Sequence, residues 1–544
     1  AAFIKLQRRD GYLNSHYAQI APQQRFNNLR DRHELYCAGH LIEAAIAYHD
    51  ATGKRAFLDA MRRYADHIDA TFGPERGKLR GYCGHQEIEL ALVKLHRATG
   101  EARYLRLAHF FIEERGRGRV AWSKRDGSRD RYRHYYDAEA IERGEDPAKF
   151  WAKTYEYLQA HKPVREQAQV VGHAVRAMYM YSGMADLESL GANGGNSFMP
   201  ALERLWAHLT TKRMYVTGGI GPSAANEGFT SDYDLPDESA YAETCAGIGL
   251  IYWAHRMVQL TGDGAYADVL ERALYNNVLA GVSLDGDLFN YVNPLASRGA
   301  HHRQSFFTCA CCPPNVLRLL ASLGQYAYSI DADGVWVHLY AQSRARIGAH
   351  GVVIDQRTTF PASGQIDLKL TLDVPKRLTV RLRVPGWSEN SFLRVNGGVV
   401  EAADARFERG YLHLTRDWRS GDTITLDLDV TPQLVRAHPA VPQALGRVAL
   451  QRGPLVYCVE QVDNGAQLDA LMLGSAIAWE EQPRRGSALP ALTAPGVRVI
   501  DDGWDGALYR AAEPSLAPAR ITAVPYCEWD NRERGEMRVW LRCA

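Results

Sequence analysis

The chain has 544 residues, 46% hydrophobic and 23% charged, with 64 basic and 63 acidic side chains and a formal net charge of +1. This is a globular composition, and the length calls for two or three domains. The charge balance leaves no footprint for nucleic acid and no polybasic membrane patch, and no apolar run approaches the roughly 18 residues that span a bilayer.

The chain opens at Ala1 without a methionine, in what reads as a helix running into Gly11. The expectation is that an N-terminal segment precedes it, a removed signal peptide being one form. Helical periodicity then recurs in units. Leu35, Leu41, Ile42, Ala45 and Ile46 share a helix face, Thr52-Gly53 breaks it, and Phe57, Met61, Tyr64 and Ile68 return. A second unit runs from Gly84-His85 through Leu90 and Leu95 to Thr99-Gly100, then Tyr104, Leu105 and Phe110. A third begins at Gly172-His173 and reads as broken at Ser182-Gly183; a fourth runs from Tyr241 to Thr261-Gly262 and on through Leu274. Repeated helical hairpins stack into an array, and a closed array surrounds a central pocket.

His40, His85 and His173 each follow a glycine at a predicted inner-helix start. Singly, each reads as a buried or capping histidine; the threefold recurrence turns the reading toward one pocket mouth. The charged stretch from Lys124 to Lys149 reads as a long insertion at the pocket rim.

Beyond about residue 330 the period changes to two. Val335–Leu339, Ile366–Leu370, Leu378–Leu382 and Ile424–Leu428 alternate, separated by turns such as Asn396-Gly397-Gly398, and predict a β-sandwich. A further β-rich segment starts near Arg447 and loosens into a Pro-, Gly- and Ala-rich stretch between Gln482 and Pro518. The predicted domains are therefore 1–330 helical, with its N-terminal part read as missing, 331–445 β-sandwich, and 446–544 β-rich.

Nine cysteines are scarce in a chain of this length, yet Cys309, Cys311 and Cys312 crowd together before Pro313-Pro314. Proline favours the first helical turn, so these thiols sit at a predicted helix N-terminus, where the dipole lowers a thiol's pKa. With Glu243 and Cys245 upstream, Cys311 and Cys312 complete four ligands for a tetrahedral Zn²⁺. A purely structural zinc, or buried free thiols, would use the same residues. Cys309 is left over, as a neighbour of the metal ligands or a bystander. Thr217-Gly218-Gly219-Ile220-Gly221 lacks the Lys-Ser/Thr of a phosphate loop and reads as a tight turn near a carboxylate. Glu227 leads the candidate acids, ahead of Asp232, Asp234, Asp237 and Glu238.

Taken together, Tyr215-Val216-Thr217-Gly218-Gly219-Ile220-Gly221, Glu227, Asp232-Tyr233-Asp234-Leu235-Pro236, Ala242-Glu243-Thr244-Cys245 and Cys311-Cys312-Pro313-Pro314-Asn315 resemble glycoside hydrolase family 127. Asp10–Asn14, Pro163–Gln167 and Arg452–Tyr457 extend the resemblance over nearly the whole chain. It implies an (α/α)₆ barrel followed by β-sandwich domains and a retaining exo-glycosidase, first of all a β-L-arabinofuranosidase. It implies Cys311 as a zinc-bound nucleophile, Glu243, Cys245, Cys311 and Cys312 as Zn²⁺ ligands, Glu227 as acid/base, and His40, His85 and His173 as sugar contacts. Asn226 departs from the family pattern, standing where a glycine often precedes the acid.

The expected partner is a small arabinofuranosyl carbohydrate, with no nucleic acid and no membrane; a homodimer is compatible with the reading. Three alternatives stand beside it: another pectic or branched sugar, a non-catalytic carbohydrate-binding protein with structural zinc, and a lyase or epimerase on a helical toroid. Scattered thiols without a disulfide framework point to a cytoplasmic location, and the missing start leaves a periplasmic or secreted one open.

Overall fold

The structure, a computed structural model, describes residues 2–117, 120–123, 129–152, 154–400, 405–474 and 477–543. The backbone divides into two units. One comprises residues 1–213 and 223–230, the other residues 214–222 and 231–544. Among the described residues, no helix is long and apolar enough to cross a membrane.

The first unit is built from helical hairpins. Helix Glu34–Thr52 packs against Ala56–Thr71 and Ile88–Thr99, and the latter against Ala102–Glu114 and Ala174–Ser189. The turns are those the sequence marks. Gly53 and Gly100 take left-handed φ values of 69° and 74° and cap their helices through bonds to His49 and His96 carbonyls. A residue with a Cβ pays for that conformation, which is why glycine ends these helices. The amphipathic faces carry Leu58, Met61, Tyr64 and Ile68 on one helix and Leu107, Phe111 and Ile112 on another, all essentially buried.

Two expectations need correction here. Ser182-Gly183 does not break a helix: Ala174–Ser189 runs through both, with the Ser182 hydroxyl donating to the Met178 carbonyl. Gly183 serves packing instead, since a Cβ there would stand 3.3 Å from Glu89. His40 is not at a helix start, because Glu34–Thr52 begins six residues earlier. The stretch from Lys124 to Lys149, read as an insertion, carries regular elements of its own. Residues 124–128 lie outside the described residues, but strand Arg129–Arg133 and helix Tyr135–Glu142 follow. Glu139 of that helix is buried and accepts bonds from the backbone N–H groups of Leu29 and Arg30, at 2.5 and 3.2 Å. This buried carboxylate, with the Arg30–Glu145 pair and the Arg143 bond to the Asn27 carbonyl, ties the segment to the start of the chain.

The second unit contributes helices Thr244–Thr261, Gly264–Arg272 and Cys312–Ser322 together with the large sheets. Strands Gln365–Leu372, Val352–Thr358 and Thr423–Leu428 lie in a six-stranded antiparallel sheet, and Lys376–Arg383, Tyr411–Trp418 and Gly334–Val337 in a five-stranded mixed sheet, where Gly334–Val337 runs parallel to Lys376–Arg383. Ile354, Ile366, Leu368, Leu370 and Ile424 from the first meet Val335, Val380, Leu382 and Leu414 from the second in one core. The period-two pattern is the cause: every second residue faces inward, as the alternating burial of Gln365–Leu372 records.

A ten-stranded sheet gathers the C-terminal strands, Arg447–Arg452 and Leu455–Glu460 among them. The loosened stretch is more regular than expected: Ala491–Ile500 and Ser515–Pro525 form a long antiparallel pair, Leu492 opposite Ala523 through Ile500 opposite Ser515. Pro495 and Pro518 interrupt the apolar alternation without ending the pairing, which is why the sequence reads as a loop.

Between Gly264–Arg272 and the next loop, Ala273–Val278 forms a π-helical turn. Two consecutive asparagines on this turn, Asn276 and Asn277, are buried. Asn276 donates to the Arg272 and Pro454 carbonyls and accepts from the Val456 N–H. Asn277 fills the space above two glycines: a Cβ at Gly219 or Gly247 would lie 2.6 or 2.4 Å from its amide group. The glycine-rich segment is therefore a packing surface for this turn; a Cβ at Gly218 would likewise strike Ala273 at 2.7 Å.

Candidate active site

In the second unit, Glu243, Cys245, Cys311 and Cys312 each bring one ligand atom to within 4.8 Å of the others. Glu243 is the N-cap of helix Thr244–Thr261 and Cys245 lies in its first turn; Cys311 is the N-cap of Cys312–Ser322, followed by Pro313 and Pro314. The two helices pack against each other, so two positive dipole ends converge on the sulfurs and favour anionic donors. Glu243, Cys245 and Cys312 are buried, whereas Cys311 is half-buried.

Cys311 Sγ lies 3.5 Å from Glu243 Oε1, 3.7 Å from Cys312 Sγ and 3.2 Å from the Tyr291 hydroxyl. Hydrogen bonds from Cys245 and Cys312, with Tyr291 and Glu243 behind them, hold the Cys311 thiol well below its ordinary value. Burial pushes Cys245 and Cys312 well above theirs. Of the three sulfur-bearing residues, Cys311 is the one that meets solvent. Cys309 is exposed and outside the donor group; its sulfur is 3.9 Å from the Tyr291 hydroxyl.

Tyr291 is a residue the sequence does not single out. Its loop is fixed by Thr244, whose N–H donates to the Tyr291 carbonyl at 2.9 Å and whose hydroxyl donates to the Asn290 carbonyl at 2.8 Å. Nothing in its spacing distinguishes it among 28 tyrosines.

In the first unit, Glu227 and His173 share a 2.7 Å hydrogen bond between Oε2 and Nε2. Glu227 is held in the left-handed region, φ 47°, which a side-chain-bearing residue rarely adopts. Local bonds impose it. Ala174 N–H donates to the Glu227 carbonyl at 3.0 Å, Phe229 N–H to the Gly172 carbonyl at 2.9 Å, and the Asn226 amide to the Phe229 carbonyl at 3.0 Å. The departure at Asn226 thus closes the turn that presents Glu227.

The other predicted histidines join the same cluster. His173 lies 5.5 Å from His85, His85 4.4 Å from Tyr36, and Tyr36 4.4 Å from His40, between ring centroids. Burial, reinforced by Arg176, holds His85 well below the ordinary histidine value, and His33 at about 4. These rings are neutral at pH 7 and suited to hydroxyl groups. Besides Tyr36 and His33, three more residues absent from the sequence expectation belong here. Glu87, fully buried, lies 3.3 Å from His40 Nδ1; Arg176, also buried, donates to the Gly84 carbonyl at 3.0 Å; Tyr157 lies under that guanidinium at 4.3 Å.

The chain matches three family models in sequence: the β-L-arabinofuranosidase GH127 catalytic domain over residues 1–325, the middle domain over 334–430 and the family 127 C-terminal domain over 432–542. It is 39% identical to a non-reducing end β-L-arabinofuranosidase of Bifidobacterium longum, over 99% of this chain and 83% of that protein. The crystal structure of a GH127 β-L-arabinofuranosidase from Geobacillus stearothermophilus T6 superposes with a TM-score of 0.92 at 44% identity, covering 99% of this chain and 84% of the other. A GH127 β-arabinofuranosidase of known structure gives 0.85 at 36% identity, over 99% and 82%. Similarity of this extent sets aside the non-catalytic and lyase readings: the protein is a glycoside hydrolase, and the chain belongs to family 127.

Proposed function

We propose that this enzyme releases β-L-arabinofuranosyl residues from non-reducing ends with retention of configuration, using Cys311 as nucleophile and Glu227 as acid/base. The observation that carries it is the Glu243–Cys245–Cys311–Cys312 donor group, in which Cys311 is the half-exposed member and the other three are buried. The name of the Bifidobacterium relative supports the substrate.

Three sulfurs and one carboxylate oxygen fit a tetrahedral Zn²⁺ site in number and softness. Bound there, zinc would keep the coordinating thiols deprotonated at neutral pH. The remaining chemistry falls to the chain. Glu227, protonated, donates to the glycosidic oxygen as Cys311 Sγ attacks the anomeric carbon; the C–O bond breaks and a C–S bond forms. Glu227, now a carboxylate, takes a proton from water as that water attacks the same carbon, and the C–S electron pair returns to Sγ. Two inversions give retention. His173 holds the Glu227 carboxyl, and the Tyr291 hydroxyl is placed to donate to the thiolate. His40 and His85 bind sugar hydroxyls with His173.

This reading includes closure of the helical segments into an (α/α)₆ barrel within residues 1–330, followed by the sandwich 331–445 and the β-rich 446–544. Three reduced thiols in one site favour a cytoplasmic location.

Turnover of 4-nitrophenyl β-L-arabinofuranoside by wild type and Cys311→Ser, with metal content measured on each, tests it. Zinc in the wild type and loss of turnover in a folded Cys311→Ser protein are expected. Acid-quenched Glu227→Gln enzyme given the same substrate should carry one anhydropentosyl group on Cys311. Near-wild-type turnover by Cys311→Ser, or the sugar on another residue, would overturn the assignment.

A further inference from the structure

Trp151 is 56% exposed, a large indole left in water. The chain on both sides of it is anchored. Phe150 lies under the Arg30 guanidinium at 4.2 Å and stacks with Tyr155, ring centroids 5.8 Å apart; Tyr155 stacks on His134 at 4.0 Å and its hydroxyl donates to Asp137. The indole therefore sits beside packed aromatic neighbours on both sides in sequence.

Its closest ring contact leads to the catalytic acid. The indole meets Tyr157 edge to face at 4.5 Å. Tyr157 is braced by Arg176 at 4.3 Å and lies 5.6 Å from His173, the residue hydrogen-bonded to Glu227. The exposed indole thus ends a train of rings whose other end holds the proton donor. All of these residues belong to the first unit.

The chemistry of that neighbourhood restricts what the indole receives. Glu227 protonates the oxygen of the departing group, so the leaving group lies on the Glu227 side of the scissile bond. A sugar ring offers a face of C–H groups that packs flat on an aromatic surface, with its hydroxyls directed to water at the rim. The charged pairs around the neighbouring surface, Arg30 with Asp31 and Glu145, are already satisfied by one another, which disfavours an ionic leaving group.

We propose that Trp151 is the platform for the sugar ring of the leaving group, and so a specificity-determining residue for glycosides whose aglycone is itself a sugar. The proposal rests on Glu227 as the acid in arabinofuranoside cleavage.

The test compares a β-L-arabinofuranosyl disaccharide with methyl β-L-arabinofuranoside, whose methanol leaving group is too small to stack. In Trp151→Ala, kcat/KM for the disaccharide should fall about tenfold, chiefly through KM, as loss of one stacked aromatic contact implies, while the methyl glycoside changes less than about twofold. Trp151→Phe should recover part of the loss. Equal losses on both substrates would show that Trp151 merely braces Tyr157 and His173, and no loss on either would show that it touches nothing; both results overturn the proposal. A wild-type enzyme that cleaves neither glycoside would instead sink the arabinofuranosidase reading on which it stands.

Discussion

Replacing Gly228 by alanine asks whether the backbone beside Glu227 sets the position of the acid. Gly228 is paired with Ser223 through two backbone bonds of 3.1 and 3.2 Å and faces the Gly172–His173 peptide. A Cβ at 228 would lie 1.8 Å from the Gly172 carbonyl oxygen and 2.8 Å from His173 Cα. Ordinary contact needs more than about 3 Å, so the two segments must part by more than about 1 Å. No side-chain rotation relieves this, because both obstacles are backbone. The bonds from Ala174 to Glu227 and from Phe229 to Gly172 stretch beyond useful length, and the 2.7 Å Glu227–His173 contact opens with them. A misplacement of about 1 Å at a proton donor costs about a hundredfold, or about 2.7 kcal/mol of transition-state stabilisation. The assay is kcat/KM on 4-nitrophenyl β-L-arabinofuranoside, with zinc content and the thermal transition of the same preparation. Since the proposed zinc ligands lie in the other unit, metal content should match wild type. A Gly228→Ala enzyme with wild-type kcat/KM would refute the reasoning that this bridge positions Glu227.

Other expectations concern separate parts of the molecule. Glu227→Ala should lower kcat by about 10²–10⁴, and azide should restore turnover of an activated aryl substrate; neither loss nor rescue would point to another acid. Glu34 is buried, accepts bonds from the Tyr12 hydroxyl and the Phe26 N–H, and burial pushes its pKa up from 4.5 to about 7. A carboxyl raised in the folded state adds stability fully present below pH 4.5 and lost as pH rises through about 7. The stability gap between wild type and Glu34→Gln should therefore change by about 3 kcal/mol over that range; parallel pH profiles would rule this out. Arg383, fully buried, binds Asp268 at 2.5 Å, Glu271 and the His338 carbonyl. Arg383→Met strands the Glu271 carboxylate and should cost about 3–5 kcal/mol by thermal or urea unfolding, partly recovered by adding Glu271→Gln; a cost under about 1 kcal/mol would count against a structural role for the pair.

Local rules made much of the helical unit legible. Gly53, Gly100 and Gly262 end helices because the chain needs a positive φ there, and such positions announce themselves in sequence. Gly183 does not obey that rule: it faces a neighbouring helix and serves close packing, which depends on a partner far along the chain. The same limit applied to Ala491–Ile500 and Ser515–Pro525, whose pairing is tertiary and survives two prolines. In the site, scarcity made the sulfur donors visible, since thiols crowded at Cys309, Cys311 and Cys312 have few uses. Tyr291, Glu87 and Arg176 remained hidden because they belong to abundant residue types and gain meaning only from what the fold sets beside them.

The π-turn at Ala273–Val278 makes chain length itself a determinant of this enzyme. Each residue added to a helix rotates the chain beyond it by about 100°. Deleting one residue there would restore ordinary α-helical register and swing Asn276 and Asn277 away together, one from Pro454 and Val456, the other from the glycines at 219 and 247. Gly247 is two positions from Cys245, so a single lost codon at a distant turn would loosen the helix end that carries a sulfur ligand. Mutational scans confined to substitutions would rank this turn as tolerant wherever side chains are interchangeable; scans that include single-residue deletions should find it among the most sensitive stretches of the chain.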